Sequence, residues 1–168
     1  IYGMPRWADL FSPRQLLGFG VMSEELPRLR LEIVKADGKE LGEAVGHILA
    51  FVINKLTNYN SVLSIWHAQR SCMANTFSKH DFSFKSTYAE MAPCNAGSGL
   101  AWAIENCCGA YEQLAGLPKA KDNSLVELSQ GSAVSLPILA DKSITAVIVD
   151  PPYADNVQYS ELANFFYV

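Results

Sequence analysis

Asp150, Pro151, Pro152 and Tyr153 stand in a row at the end of an apolar, β-branched run, the stretch ITAVIVDPPYA at 144–154. A carboxylate followed by a proline carbonyl puts two hydrogen-bond acceptors side by side, the second held in direction by the restricted proline backbone. Two acceptors facing the two hydrogens of an amine localise a lone pair otherwise delocalised into an attached ring. They act by geometry and preorganised electrostatics rather than by covalent attack. The ring of Tyr153 offers a face on which a flat base can stack. Asp150 can also take up a released proton, directly or through water. The plain alternative is a strand, a Pro-rich turn and a tyrosine that plugs the strand end.

Such a group needs an element to hold it. The run Ile144, Val147, Ile148, Val149 is short and continuous, the pattern of a strand buried on both faces in a parallel sheet. Proline cannot donate to a ladder and keeps the preceding residue extended, so this strand is expected to end at Asp150. In open α/β sheets ligands bind beyond the carboxyl ends of the strands, where Asp150 and Tyr153 would then lie. A second strand signal, around Leu125 to Leu128, precedes the turn Gln130-Gly131-Ser132-Ala133. The final third therefore reads as alternating α/β architecture.

The rest of the chain reads as helical. Ser12 before Pro13 is a helix start for RQLLGFGVMSEELPRLR, which Pro27 should interrupt or end. KADGKE, residues 35–40, is turn-like and the best internal linker. From Leu41 to about Ala74, apolar residues at Ala44, Ile48, Phe51, Val52 and Leu56 mark one face of a long helix, broken near Asn58 to Asn60. DFSFKSTYAEMAP, residues 81–93, reads as irregular or strand-like, and NAGSGLAWAIENCCGAYEQLAG as a helix-start loop and a helix running to Gly116. The expected division is a mainly helical region over 1–116, suited to substrate recognition, and a catalytic part over 117–168.

The totals restrict the function. In 168 residues, 49% are apolar, 18% are charged and the net charge is -4, which allows a real core and does not mark a dedicated nucleic-acid binder. Cys72, Cys94, Cys107 and Cys108 have no metal-ligand spacing and read as reduced thiols, so no metal is assigned. LGEAVGHILAFVINKL is broken by Glu43, His47 and Asn54, so no membrane span is expected and a cytoplasmic setting follows. The opening IYGMPRW and the closing apolar pattern ELANFFYV, without a stop signal, read as the edges of a piece of a longer chain, with FFYV exposed and prone to self-association.

DPPYADNVQYSELANFFYV, together with the upstream WADLFSPRQL, resembles a family of large bacterial and archaeal adenine-specific DNA methylases, amino-methyltransferases of the DPPY type. The resemblance covers residues 144–168 most strongly, then 6–16. It implies S-adenosylmethionine as methyl donor, a partial Rossmann-like methyltransferase sheet in the C-terminal third, and DNA as substrate, methylated at adenine N6. It makes Asp150, Pro151, Pro152 and Tyr153 the catalytic turn, with Ser132 and Asp150 toward the cofactor. Tyr153, Asn156, Tyr159 and Arg14 would face the substrate. Ser132 reads equally as part of a tight turn, and Arg14-Gln15 as a helix anchor. The family's glycine-rich cofactor loop is not found in these residues, so the remainder of a parent chain is expected to complete the cofactor site.

The first-position Asp favours adenine over cytosine N4, although related turns serve RNA and protein amine methylation. The alternative from another class is a non-catalytic DNA- or protein-binding module. Arg6, Arg14, Arg28, Arg30, Arg70, Lys79, Lys85, Lys119 and Lys121 are the basic candidates for phosphate contact. HAQR at 67–70 and SKH at 78–80 interleave with Trp66, Phe77, Phe82 and Phe84. Solvated charge beside core aromatics is the plain reading of both.

Overall fold

A computed structural model describes residues 3–78, 83, 85–95, 97–118, 127, 129–151, 153 and 157–167. A 3-10 turn over Trp7–Leu10 leads into α1 (Pro13–Asp37). The Ser12 hydroxyl accepts from the Gln15 backbone N–H, and the Gln15 side chain accepts from the Ser12 N–H, a reciprocal cap that satisfies two otherwise unpaired donors. Pro27 does not stop the helix, contrary to expectation. Its missing donor costs one ladder bond, but α1 is braced along its length by the next helix.

That helix, α2 (Lys39–Tyr59), follows after a single residue, Gly38, whose φ of 89° lies in the region that glycine tolerates. The expected linker at 35–40 is therefore the tight bend of a helical hairpin. Close approach is written into the sequence at two more glycines. A Cβ at Gly42 would sit 2.5 Å from the Val34 Cα, and one at Gly46 would sit 3.1 Å from the Arg30 side chain. Arg30 pairs with Glu43 across the same seam at 3.4 Å.

The chain leaves helical geometry at Asn60, so the expected break is found, but the helix does not resume. Instead β1 (Ile65–His67) and β2 (Cys72–Ala74) form an antiparallel pair with Trp66 opposite Met73. A 3-10 turn over Ala68–Arg70 and a left-handed Ser71 close the hairpin. α3 (Gly99–Ala115) starts at the glycine-rich loop read as a helix start; Gly97 in that loop and Gly99, the first helical residue, take positive φ. α4 (Tyr159–Tyr167) is the final element.

Among the described residues the architecture is thus mostly helical with one small antiparallel sheet, a mixed α/β arrangement. Residues 144–149 do not form the expected strand; Val147 is 78% and Ile148 95% exposed. A strand buried on both faces needs ladder partners on each side and cover above and below. Among the described residues nothing occupies those positions. Most of the other strand signal, Leu125 to Leu128, lies outside the described residues.

Two apolar clusters hold these elements. Val52 and Leu56 of α2 pack with Ala103 of α3, flanked by Phe19, Met22, Met91 and Trp102. Lys55 lies over both Tyr59 and Trp102, its ammonium 5.3 and 5.1 Å from the ring centroids. Leu10 and Leu63 pack with Phe165 of α4, flanked by Trp7, Phe11 and Phe77. Phe165 lies 5.8 Å from Phe11 and 6.0 Å from Trp7, so FFYV is anchored at Phe165 rather than wholly exposed. Phe11 in turn meets Phe19 edge-on at 5.4 Å, which links the two clusters.

Candidate functional site

The catalytic turn expected at 150–153 lies open. Asp150 and Pro151 are exposed, and Tyr153 is 57% exposed. Asp150 makes no hydrogen bond or ion pair with another described residue. Ser132 is exposed, its hydroxyl accepts from Val134 N–H at 3.3 Å, and Ser135 N–H donates to its carbonyl at 3.1 Å. That is a side-chain-stabilised tight turn, the simpler of its two readings. Toward S-adenosylmethionine, the one candidate hydroxyl among these described residues, that of Ser132, is engaged locally. Tyr159 opens α4 and is 48% exposed. Pro152 and Asn156 lie outside the described residues, as do Lys79, His80, Phe82, Phe84, Lys119, Lys121 and Asp155.

What the fold does assemble is a cavity at the start of α1, built from the 60–64 turn outward. Thr76 donates its backbone N–H and its hydroxyl to the Asn58 carbonyl at 2.7 and 2.8 Å, and its hydroxyl lies 2.7 Å from that of buried Ser61. This network fixes Ser64 and Asn60, which then hold the passing chain: Ala89 N–H donates to the Ser64 carbonyl at 2.9 Å, and Met91 N–H to Asn60 Oδ1 at 2.7 Å. Glu90, between them, is thereby pointed at α1. Its Oε1 accepts from the Ser12 hydroxyl at 2.6 Å, and its Oε2 from Arg14 Nε and Nη2 at 3.0 and 2.6 Å.

The cavity behind this tie has a volume of about 310 Å³ and is walled by Gly18, Phe19 and Met22 of α1, Leu56 and Asn60 from α2 and its end, and Met91 to Pro93. Gln15 also lines it, only 8% exposed, and its Nε2 has no hydrogen-bond partner among the described residues. A buried amide donor left unpaired costs desolvation energy that a bonded one does not. Arg14 thus anchors the helix and rims a pocket at once. Glu90 and Asn60 carried no legible signal, because their roles depend on bonds to residues 78 and 31 positions away.

Four of the basic candidates are paired with carboxylates. Arg6 pairs with Asp9, Arg28 with Glu25 and Glu32, Arg30 with Glu43, and Arg14 with Glu90. The Asp9 carboxyl is held below its ordinary value, first by the Arg6 side-chain bond and then by the Arg6 backbone N–H. All four cysteines are free thiols. Among the described residues no cluster of His, Cys, Asp or Glu is arranged to hold a metal, and no helix is long and apolar enough to cross a membrane. Comparison with protein-family models, with curated proteins and with solved structures finds no match to this chain.

Proposed function

We propose that this chain belongs to an S-adenosylmethionine-dependent amino-methyltransferase acting on adenine N6 in DNA, with a Rossmann-like catalytic sheet completed by further chain. The observation that supports this reading is a contact. The two stretches that share the methylase resemblance, around residues 6–16 and 144–168, pack on each other through Phe165, Trp7 and Phe11 although they lie at opposite ends of the sequence. A helix that follows a DPPY turn and docks on the WADLF segment explains why both stretches occur together.

In this reading Asp150 and the Pro151 carbonyl accept the two hydrogens of the adenine amine, which localises its lone pair on nitrogen. Tyr153 stacks against the extruded base, worth about 1 to 3 kcal/mol by the usual stacking scale. The bound cofactor supplies the methyl group.

The test is methyl transfer from labelled S-adenosylmethionine to unmethylated DNA by the full-length protein and its Asp150→Ala variant, with nucleoside analysis of the product. Labelled N6-methyladenine that disappears in the variant supports the reading. One observation favours the other class of function, a non-catalytic binding module: Asp150 and Tyr153 stand exposed. A folded full-length protein that binds the cofactor yet transfers no methyl group to DNA or RNA would establish that module instead.

A further inference from the structure

We infer that the cleft between α2 and α3, over residues 41–52 and 104–112, is a docking groove for a basic amphipathic helix of a partner protein. The two helices touch where Val52 and Leu56 meet Ala103. Beyond that contact their facing side chains leave a cleft of about 490 Å³, formed by Val45, Ile48 and Leu49 of α2 and by Ile104, Cys108 and Tyr111 of α3. Leu41, which also lines it, is exposed, as are Ile104 and Tyr111, so an apolar stripe on each helix stands open to water. Contiguous apolar surface of this kind is unfavourably hydrated until something covers it. None of residues 150–153 lines the cleft, so the inference is independent of methyl transfer.

Backbone chemistry and charge define the occupant. Both walls are α-helices, whose interior N–H and C=O groups are already paired within each helix. An extended segment laid between them would leave its own backbone groups without partners, whereas a helix satisfies its own and presents a side-chain stripe. Leu41 to Val52 spans about 16 Å of helix axis, about three turns, which matches an apolar stripe of similar length on the partner. The margins are acidic. Residues 41–52 and α3 contain no lysine or arginine. Glu112 borders the cleft, Glu105 shares its side of α3 two turns earlier, and Glu40 lies one turn before Ala44 on α2. None of these three carboxylates is ion-paired with another described residue, in contrast to Glu43, which Arg30 holds. Unpaired carboxylates around an apolar floor select a partner with lysine or arginine beside its apolar stripe. α1 of a second copy is less suited, because Arg14, Arg28, Arg30 and Lys35 are matched there by Glu24, Glu25, Glu32 and Asp37.

The probes are three labelled peptides of about 15 to 18 residues, long enough to form helix: a Leu/Lys amphipathic helix, its Leu/Glu counterpart, and a Leu/Lys peptide of the same composition in scrambled order. Each is titrated into the full-length protein by fluorescence anisotropy, and Cys108, exposed within the cleft, reports location through its alkylation rate. The Leu/Lys helix is expected to bind and, at about ten times its Kd, to slow Cys108 alkylation about tenfold, as occupancy dictates, while exposed Cys94 reacts as before. The Leu/Glu and scrambled peptides should bind about tenfold more weakly or worse. Glu105→Gln with Glu112→Gln should weaken the Leu/Lys helix about threefold to tenfold at low salt and flatten its salt dependence. Ala44→Lys is the second variant. Ala44 is exposed on the cleft, and a cation four residues after Glu40 supports the helix, so melting temperature should hold while binding of the Leu/Lys helix falls about tenfold or more. Equal binding of the Leu/Glu or scrambled peptide, binding that leaves Cys108 alkylation unchanged, binding that survives Ala44→Lys, or no binding of the Leu/Lys helix would overturn the inference. So would a Cys108 that reacts far more slowly than Cys94 before any peptide is added: shielding at every protein concentration would assign the cleft to the protein's own chain, and shielding that grows with concentration to a second copy.

Discussion

Glu90 and Gln15 carry the geometry around α1, and at the scale of single residues they differ in what could be read in advance. Ser12, Pro13 and Gln15 are a legible helix start because a capping box is a local pattern, three residues long. Glu90 sits in an irregular segment with no periodicity, and only the hydroxyl network at Ser61, Ser64 and Thr76 turns it toward Arg14. The vicinal thiols give a residue-scale prediction. Burial pushes the Cys107 thiol up, against a smaller opposing pull from Lys55, while Cys108 is exposed. A thiol with a raised value holds less nucleophilic thiolate at a given pH. Iodoacetamide at mildly alkaline pH should therefore modify Cys108 before Cys107, as followed by peptide mass spectrometry; equal rates would show that the core around Trp102 opens as fast as the reagent attacks.

Among the elements, α4 depends most on a distant partner. Its nine residues are too few to be stable alone. Phe165, 6% exposed, holds it against the 3-10 turn at Trp7–Leu10 and against Leu63. Phe165→Ala removes a buried aromatic, a change that costs about 3 to 5 kcal/mol in a well-packed site. Because the contacts of Phe165 lie in one cluster, the loss should appear locally: amide exchange over 159–167 should accelerate by orders of magnitude, with the α1–α2 hairpin far less affected. Uniform loss of protection across α1, α2 and α4 would mean that the two clusters, joined through Phe11 and Phe19, unfold as one unit.

At the scale of the whole molecule, four of the described arginines are paired with carboxylates. Arg28 lies 3.0 Å from Glu25 and Arg30 lies 3.4 Å from Glu43, all of them substantially solvated. A guanidinium already shared with a carboxylate releases little condensed counterion from a DNA backbone. Substituting Arg28→Gln with Arg30→Gln is thus expected to leave the salt dependence of DNA binding by the full-length protein unchanged, measured as the slope of log affinity against log salt. A slope reduced by about two would place both side chains on phosphates after all.

The amino-acid sequence by itself marked several helix ends: the Ser12 cap, the bend at Gly38, the break near Asn60, and the glycine loop at which α3 starts. These features are local, set by capping, φ preference and apolar spacing within a few residues. It also singled out Asp150 to Tyr153, since an acid and two prolines after an apolar run form a pattern in one dimension. Tertiary structure alone decided three other matters. Residues 144–149 have the composition of a buried strand, but a strand exists only with its ladder partners, and the described chain provides none there. Pro27 is carried inside a helix because α2 braces it. The cavity at Gln15 exists because Asn60 and Ser64 hold Glu90 and Met91 across α1. Long-range hydrogen bonds and packing have no period in the sequence, so they leave no trace there until the chain is folded.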